Sequence, residues 1–366
     1  MKVPFLDLRV LDKTEKKALL AAAERVFTHG RIVLGPEVGE LEDKLAKFCQ
    51  RKYAVGVNSG TDALILGLKA AGIGPGDEVI TTSLSWVATA NAIAILGARP
   101  VFADIDDDLN ISPESVKRLV SKKTKAILPV HFTGRICRMN EILTVARKNK
   151  LLVIEDAAQA FGAIRGGRPV GSFGDIACFS TNPMKVYAAL GEAGFVVTNS
   201  KRTYDRLVSL RYNGTVNKET CIEVSLNGRI DTVQAAMLLV RLKTFQKLIN
   251  RRRRNAAFYD RELKGISAVL TPPVPAGAEH VYYTYTLRAR KRDQLRVYLE
   301  NHGIETKIQH PILMPDQPVY LTCRRDKLIR AKRMVGEIVC IPVHEKLTSS
   351  DLKYIAKHIK AFYLRH

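Results

Sequence analysis

Residues 53–72 read YAVGVNSGTDALILGLKAAG, and the reading of the fold starts from this stretch. Tyr53 to Val57 is a short β-type apolar run. Ser59-Gly60-Thr61 then opens a helical stretch with Leu64, Leu68 and Ala71 on one face, and Gly72 stops it. Working outward, the same alternation continues. Glu78–Thr82 is strand-like and Val87–Leu96 helical; Pro100–Ala103 is a strand and Ser112–Leu119 a helix. Ala126–Val130, Asn140–Lys148 and Leu151–Glu155 repeat strand, helix, strand. On the N-terminal side, residues 14–29 read as an amphipathic helix ended by Gly30. Alternation this regular predicts an α/β fold, a mainly parallel sheet with helices on both faces. Ligands in such sheets sit beyond the carboxyl ends of the strands.

Past residue 229 the pattern changes. Asp231 to about Leu263 predicts one or two long helices, Thr271–Ala276 (TPPVPA) a linker, and His280–Arg288 a strand. The expected organisation is a large domain over residues 1–250 and a smaller α+β domain over 251–366.

Three strand-end features could carry chemistry. Asp156 follows the apolar run Leu151–Ile154 and Glu155; a carboxylate there suits a ligand, or equally a helix cap. Lys185, in FSTNPMK (179–185), comes shortly after the run Ile176–Phe179, although most lysines are solvated surface charges. Asn58-Ser59-Gly60-Thr61-Asp62 offers backbone amides at a helix start, which suits a phosphate and also suits an ordinary N-cap. Neither a P-loop nor a G-x-G-x-x-G fingerprint is present. A phosphate cup, an aspartate and a lysine on successive strand ends together match the needs of pyridoxal 5′-phosphate. That cofactor needs its phosphate anchored, its ring nitrogen kept protonated and its aldehyde held by a lysine amine. Trp86, the single tryptophan, follows a strand-like run and could stack on a ring or fill the core.

The chain of 366 residues carries 58 Lys+Arg against 36 Asp+Glu, a formal charge of +22. That surplus admits nucleic acid, an anionic membrane or an anionic small substrate as partner. The 46% hydrophobic content excludes a disordered or low-complexity chain. Six scattered cysteines give neither a disulfide framework nor a zinc pattern, so no metal is expected. With no signal-peptide pattern and no membrane span, a cytoplasmic protein is expected. Arg251-Arg252-Arg253-Arg254 is the one motif that favours nucleic acid. It has no groove-reading motif or stacking aromatic set beside it, so a solvated helix surface competes with that reading.

The chain resembles the DegT/DnrJ/StrS family of pyridoxal-phosphate-dependent nucleotide-sugar aminotransferases over essentially its whole length. The resemblance rests on VPFLDL (3–8), GRIVLGPEVGELE (30–42), NSGTDAL (58–64), SWVATANAI (85–93), DID (104–106) and PVHFTGR (129–135). EDAAQAFGA (155–163), the Lys185 segment running into GEAGFVVTN (191–199), and N-x-R-x-D-x-x-QAA from Asn227 to Ala236 are more specific still. YYTYTLR (282–288), GIET (303–306) and IPVHEKLT (341–348) continue it. The resemblance implies the aspartate-aminotransferase fold (fold type I) and a homodimer with shared active sites. Lys185 would carry the internal aldimine and act as the acid/base. Asp156 would pair with the pyridinium nitrogen, Gln159 face the ring's 3-hydroxyl oxygen, and Trp86 stack on the ring. Gly60, Thr61 and Ser180 would hold the phosphate, and Asn227 would reach it from the neighbouring subunit.

The implied reaction moves an amino group from an amino acid, L-glutamate by family habit, to a C3 or C4 keto group of a nucleotide-linked deoxyhexose. Such products feed lipopolysaccharide or other glycan synthesis. Some relatives are dehydratases with histidine in place of the lysine, which Lys185 argues against; others are described as regulators. Gln309 and Pro315 stand where many relatives have histidines, and VYAALGEAG (186–194) also departs from the commoner pattern. Gln309 and His310 therefore become the candidate substrate-binding residues.

Overall fold

The computed structural model describes residues 2–365. Seven strands form one sheet: β1 (Tyr53–Val57), β2 (Glu78–Thr82), β3 (Arg99–Ala103), β4 (Thr124–Leu128), β5 (Leu152–Asp156), β6 (Ile176–Ser180) and β7 (Gly194–Thr198). Their order is β1-β7-β6-β5-β4-β2-β3. β3, β2, β4, β5 and β6 pair in parallel, while β7 runs antiparallel to both β6 and β1.

The strand pleat sorts side chains to two helical layers. Val55, Val57, Val79, Leu128, Ile154, Ile176 and Val196 face α3 (Gly60–Ala70), α4 (Ala88–Ile95) and α7 (Lys201–Leu210). Ala54, Ile80, Val101, Ile127, Val153, Phe179 and Phe195 face α2 (Pro36–Phe48), α5 (Pro113–Leu119), α6 (Met139–Asn149) and α8 (Thr232–Leu242). Helix α3 buries Ala63–Leu68 without a break. Each fully buried leucine or isoleucine there contributes roughly 2 kcal/mol, which outweighs the cost of about 1 kcal/mol for Gly67 inside the helix.

Helix α9 (Phe245–Glu262) starts in the core of the large sheet through Phe245 and Ile249. It ends in a second core through Ala256 and Tyr259, which pack with β8 (Val269–Leu270), β9 (Tyr285–Ala289), β10 (Ile338–Ile341), α10 (Arg292–Asn301) and α12 (Ser349–Arg365). These three strands form their own antiparallel sheet. The segment before β10 folds back on the large sheet: Leu313, Leu328, Ala331 and Met334 pack on Leu84, Ile105 and Phe132. The strand expected over His280–Arg288 is shorter than the sequence suggested. Tyr282 takes φ +50 and its N–H donates to His280 Nδ1, a local turn that delays the strand to Tyr285.

Candidate active site

Asp156, Ser180 and Lys185 lie at or just beyond the carboxyl ends of β5 and β6, and the Asn58–Thr61 corner lies beyond β1. Since β7 runs antiparallel, it begins where its two neighbours end: Gly194 is in register with both Ser180 and Val57. A Cβ on Gly194 would lie 2.5 Å from the Ser59 oxygen and 2.6 Å from the Phe179 oxygen. A Cβ on Gly60 would lie 2.4 Å from the Ser180 Cβ. Two glycines thus let the Ser59–Thr61 corner close onto the end of β6. Ser59 caps α3 by accepting the Asp62 N–H at 3.0 Å. The Gly60 and Thr61 N–H groups have no partner among the described residues. The Ser180 hydroxyl accepts from the Asn182 N–H (3.3 Å) and keeps its own hydrogen to donate. Three donors therefore converge at a helix N-terminus, the arrangement an anion seeks.

Glu155 and Asp156 are both buried, and their environments are opposite. Glu155 accepts from the N–H groups of Gly171 (3.0 Å), Phe173 (2.9 Å) and Gly174 (2.7 Å), and from His131 Nε2 (2.9 Å). The Arg51 guanidinium lies 3.8 Å away. Burial alone would raise this carboxyl, yet His131, the Gly174 N–H and Arg51 hold it below the usual glutamate range. Among the described residues, the Asp156 carboxylate accepts only from the Thr89 hydroxyl (2.8 Å) and the Ala158 N–H (3.2 Å). Burial pushes it above the usual aspartate range, and Thr89, Ala158 and the Lys185 ammonium offset this only in part. No helix starts after Asp156, so it does not cap one. It is a buried carboxylate short of a cationic partner.

Lys185 Nζ rests 4.6 Å from the centre of the Tyr283 ring. Trp86 is 61% exposed, which removes the core reading for it. Its ring centre lies 5.8 Å from that of His310, which lies 5.8 Å from that of Phe132. His310 is pushed down to about 4 by burial and by Lys185 and Lys307. It is therefore neutral near pH 7, and its Nε2 accepts from Gln309 Nε2 at 3.3 Å. Gln159 is buried, with Oε1 accepting the Thr133 N–H at 2.8 Å. The Asn227 side chain has no hydrogen bond to this group among the described residues. The Asn58 N–H donates to the Gly228 carbonyl (2.9 Å), while the Asn227 Oδ1 is taken by Arg229 Nε (2.7 Å). Thr89, Thr133 and Tyr283 were not singled out from the sequence. All three sit inside quoted motifs, but only the folded contacts reveal their work.

An anion cup, a partner-seeking carboxylate and a lysine at adjacent strand ends define the pyridoxal-phosphate class of fold-type-I sites. The family model for the DegT/DnrJ/EryC1/StrS aminotransferases matches residues 13–360, and the chain belongs to that family. A Geobacillus stearothermophilus relative, a pleiotropic regulatory protein, is 38% identical over 371 aligned residues, covering both chains completely. The UDP-2-acetamido-2-deoxy-3-oxo-D-glucuronate aminotransferase of Pseudomonas aeruginosa is 36% identical over 96% of this chain and 98% of its own. The crystal structure of S. venezuelae DesV in complex with a ketimine intermediate superposes with a TM-score of 0.95 at 34% identity, covering 99% of this chain and 98% of that one.

The family's cofactor is pyridoxal 5′-phosphate, and the residues present fit it. The close approach of Gly60 to Ser180 shapes the cup, and the incompletely paired Asp156 carboxylate lacks the cation that a protonated ring nitrogen supplies.

Proposed function

We propose that the chain transfers an amino group from an amino acid, L-glutamate first among them, to the C3 or C4 keto group of a nucleotide-linked deoxyhexose in the cytoplasm. Gly60, Thr61 and Ser180 would hold the cofactor's phosphate, Asp156 its ring nitrogen, Gln159 its ring oxygen and Trp86 its face. When bound, the cofactor supplies an electron sink next to the carbon whose proton is removed. Lys185 Nζ would be the acid/base that moves that proton between the substrate carbon and the cofactor's C4′ carbon. The Tyr283 ring, 4.6 Å from Lys185 Nζ, would help position the amine. The neutral His310, with Nε2 occupied by Gln309, keeps Nδ1–H free to donate to a sugar or phosphate oxygen. We also place the working sites in a homodimer, with Asn227 serving the neighbouring subunit's cup, and a smaller C-terminal domain, residues 251–366, closing over each site.

The observation that carries this reading is the placement of Asp156, hydrogen-bonded but without a cationic partner in contact, and of Lys185 at neighbouring strand ends beside the Gly60–Ser180 cup. Three named curated relatives favour the sugar class: besides the P. aeruginosa enzyme, a dTDP-3-amino-3,6-dideoxy-alpha-D-galactopyranose transaminase (35% identical) and a UDP-N-acetyl-3-dehydro-alpha-D-glucosamine 3-aminotransferase (34% identical). The test loads the protein with the amine form of the cofactor and offers a panel of keto-sugar nucleotides. One of them is expected to restore the visible absorption of the aldehyde form in a single turnover, and Lys185→Ala is expected to abolish this. The regulatory description of the Geobacillus relative favours a second reading, binding without turnover. That reading requires L-glutamate to leave the spectrum of the protein loaded with the aldehyde form of the cofactor unchanged.

A further inference from the structure

The side-chain amide of Gln159 is not free to choose its orientation. Its Oε1 is committed to the Thr133 N–H, so Nε2 is the group left to donate. Thr133 itself sits in the left-handed region, with φ 62 and ψ −2. A β-branched residue adopts that conformation only where its surroundings impose it. Here the surroundings are residues 280–284, the stretch leading into β9. The Val281 N–H donates to the Gly134 oxygen (3.0 Å) and the Thr284 N–H to the Thr133 oxygen (3.3 Å). A Cβ on Gly134 would lie 2.8 Å from Val281 Cγ2 and 2.9 Å from the Tyr283 nitrogen, so the two segments are in backbone contact.

The Thr133 hydroxyl adds a side-chain tie, 3.3 Å from His280 Nε2. His280 Nδ1 accepts the Tyr282 N–H at 2.7 Å, so Nε2 carries the ring proton and donates to Thr133 Oγ1. Burial, reinforced by Arg135 and Arg253, holds His280 well below the usual histidine range, and the Tyr282 N–H sets its tautomer. Arg253 Nε in turn anchors the His280 carbonyl at 3.0 Å.

We propose that Thr133 and His280 are positioning residues that lock Gln159, so that it presents an N–H donor rather than its oxygen to the hydroxyl oxygen of the cofactor ring. The proposal rests on the placement of Gln159 against the ring given above. A flipped amide would set one lone pair against another, whereas a donor stabilises the ionised ring oxygen. The lock should therefore show in the pH at which the visible absorption of the bound cofactor titrates.

The experiment titrates that absorption in the loaded enzyme for Gln159→Ala, Thr133→Val, Thr133→Ser and the Gln159→Ala/Thr133→Val double variant. Thr133→Val is expected to move the midpoint in the same direction as Gln159→Ala, by about half a pH unit. Thr133→Ser, which keeps the hydroxyl, should stay with the parent protein, and Thr133→Val should add nothing in the Gln159→Ala background. If Gln159→Ala moves the midpoint while Thr133→Val does not, or moves it equally in both backgrounds, the lock is refuted. If Gln159→Ala itself leaves the midpoint in place, the placement of Gln159 against the ring falls, and the lock falls with it. Should Thr133→Val not fold, His280→Asn keeps the acceptor for the Tyr282 N–H, deletes the donor to Thr133, and carries the same expectations.

Discussion

At the scale of single residues, the site turns on how differently two neighbouring carboxylates are housed. Glu155 meets four donors and Arg51, whereas Asp156 meets Thr89 and one weak backbone bond. The folded Asp156 therefore holds its proton above the unfolded value. A raised carboxyl contributes stability below its unfolded pKa and loses it as pH rises through the folded one. Asp156→Asn should accordingly leave the cofactor-free protein at neutral pH no less stable than the parent, with an equal or higher Tm. The same change should slow amino transfer by about 100-fold or more, because the charge that balances the protonated ring nitrogen is gone. Calorimetry of the cofactor-free protein beside single-turnover kinetics checks both halves, and a drop in Tm at neutral pH contradicts the argument. The strand-end positions of Asp156, Lys185 and Gly60 were readable in the sequence because apolar runs mark where strands stop. Thr89 was not, because its bond to Asp156 joins residues 67 positions apart.

At the scale of elements, Glu155 ties β5 to the Gly171–Gly174 turn and to His131 after β4. Its carboxyl is held low in the fold, so its stabilisation is present above pH 4.5 and is lost as pH falls below it. Glu155→Gln removes an ion from a buried, fully bonded network and should cost about 3 kcal/mol near neutral pH. The gap between variant and parent should narrow as pH drops below the unfolded glutamate value, since the parent then protonates as well. Urea titrations at several pH values measure it; a gap independent of pH contradicts this account. Hydrophobic alternation made β1 to β5 and the helices α3 to α6 between them legible, and the apolar run Ile176–Phe179 marked β6. The direction of β7 was not, because the period of a strand says nothing about which way it runs. Residues 181–193 held the missing signal: with Pro183, Gly191 and no helical periodicity they offer no crossover helix, and parallel neighbours need one. The antiparallel turn brings Gly194 against Ser59 and completes the anion cup.

At the scale of the whole molecule, the surplus charge and the exposed apolar residues point the same way. Of the four consecutive arginines, Arg252 donates to Glu345 and the Tyr282 carbonyl and Arg253 to the His280 carbonyl, so two of them brace the stretch behind the site. Only Arg251 and Arg254 of that motif stay fully on the surface. No helix among the described residues is long and apolar enough to cross a membrane. Trp86, Met184, Leu190, Ile222 and Val224 are exposed on the single chain, several of them at the mouth of the site or in segments beside it. In the proposed homodimer, such residues are candidates for the face a second copy covers, with its Asn227 reaching the cup. If Asn227 works in trans, Lys185→Ala and Asn227→Ala chains complement each other when mixed and allowed to exchange. Half of the resulting dimers pair one of each, and in those one of the two sites has an intact Lys185 with an intact Asn227. Activity should then rise from near zero to about a quarter of the parent value, because a symmetric dimer that shares its sites reassorts at random. An Asn227 that acted within its own chain would leave every site in the mixture with one defect, and no recovery would be seen.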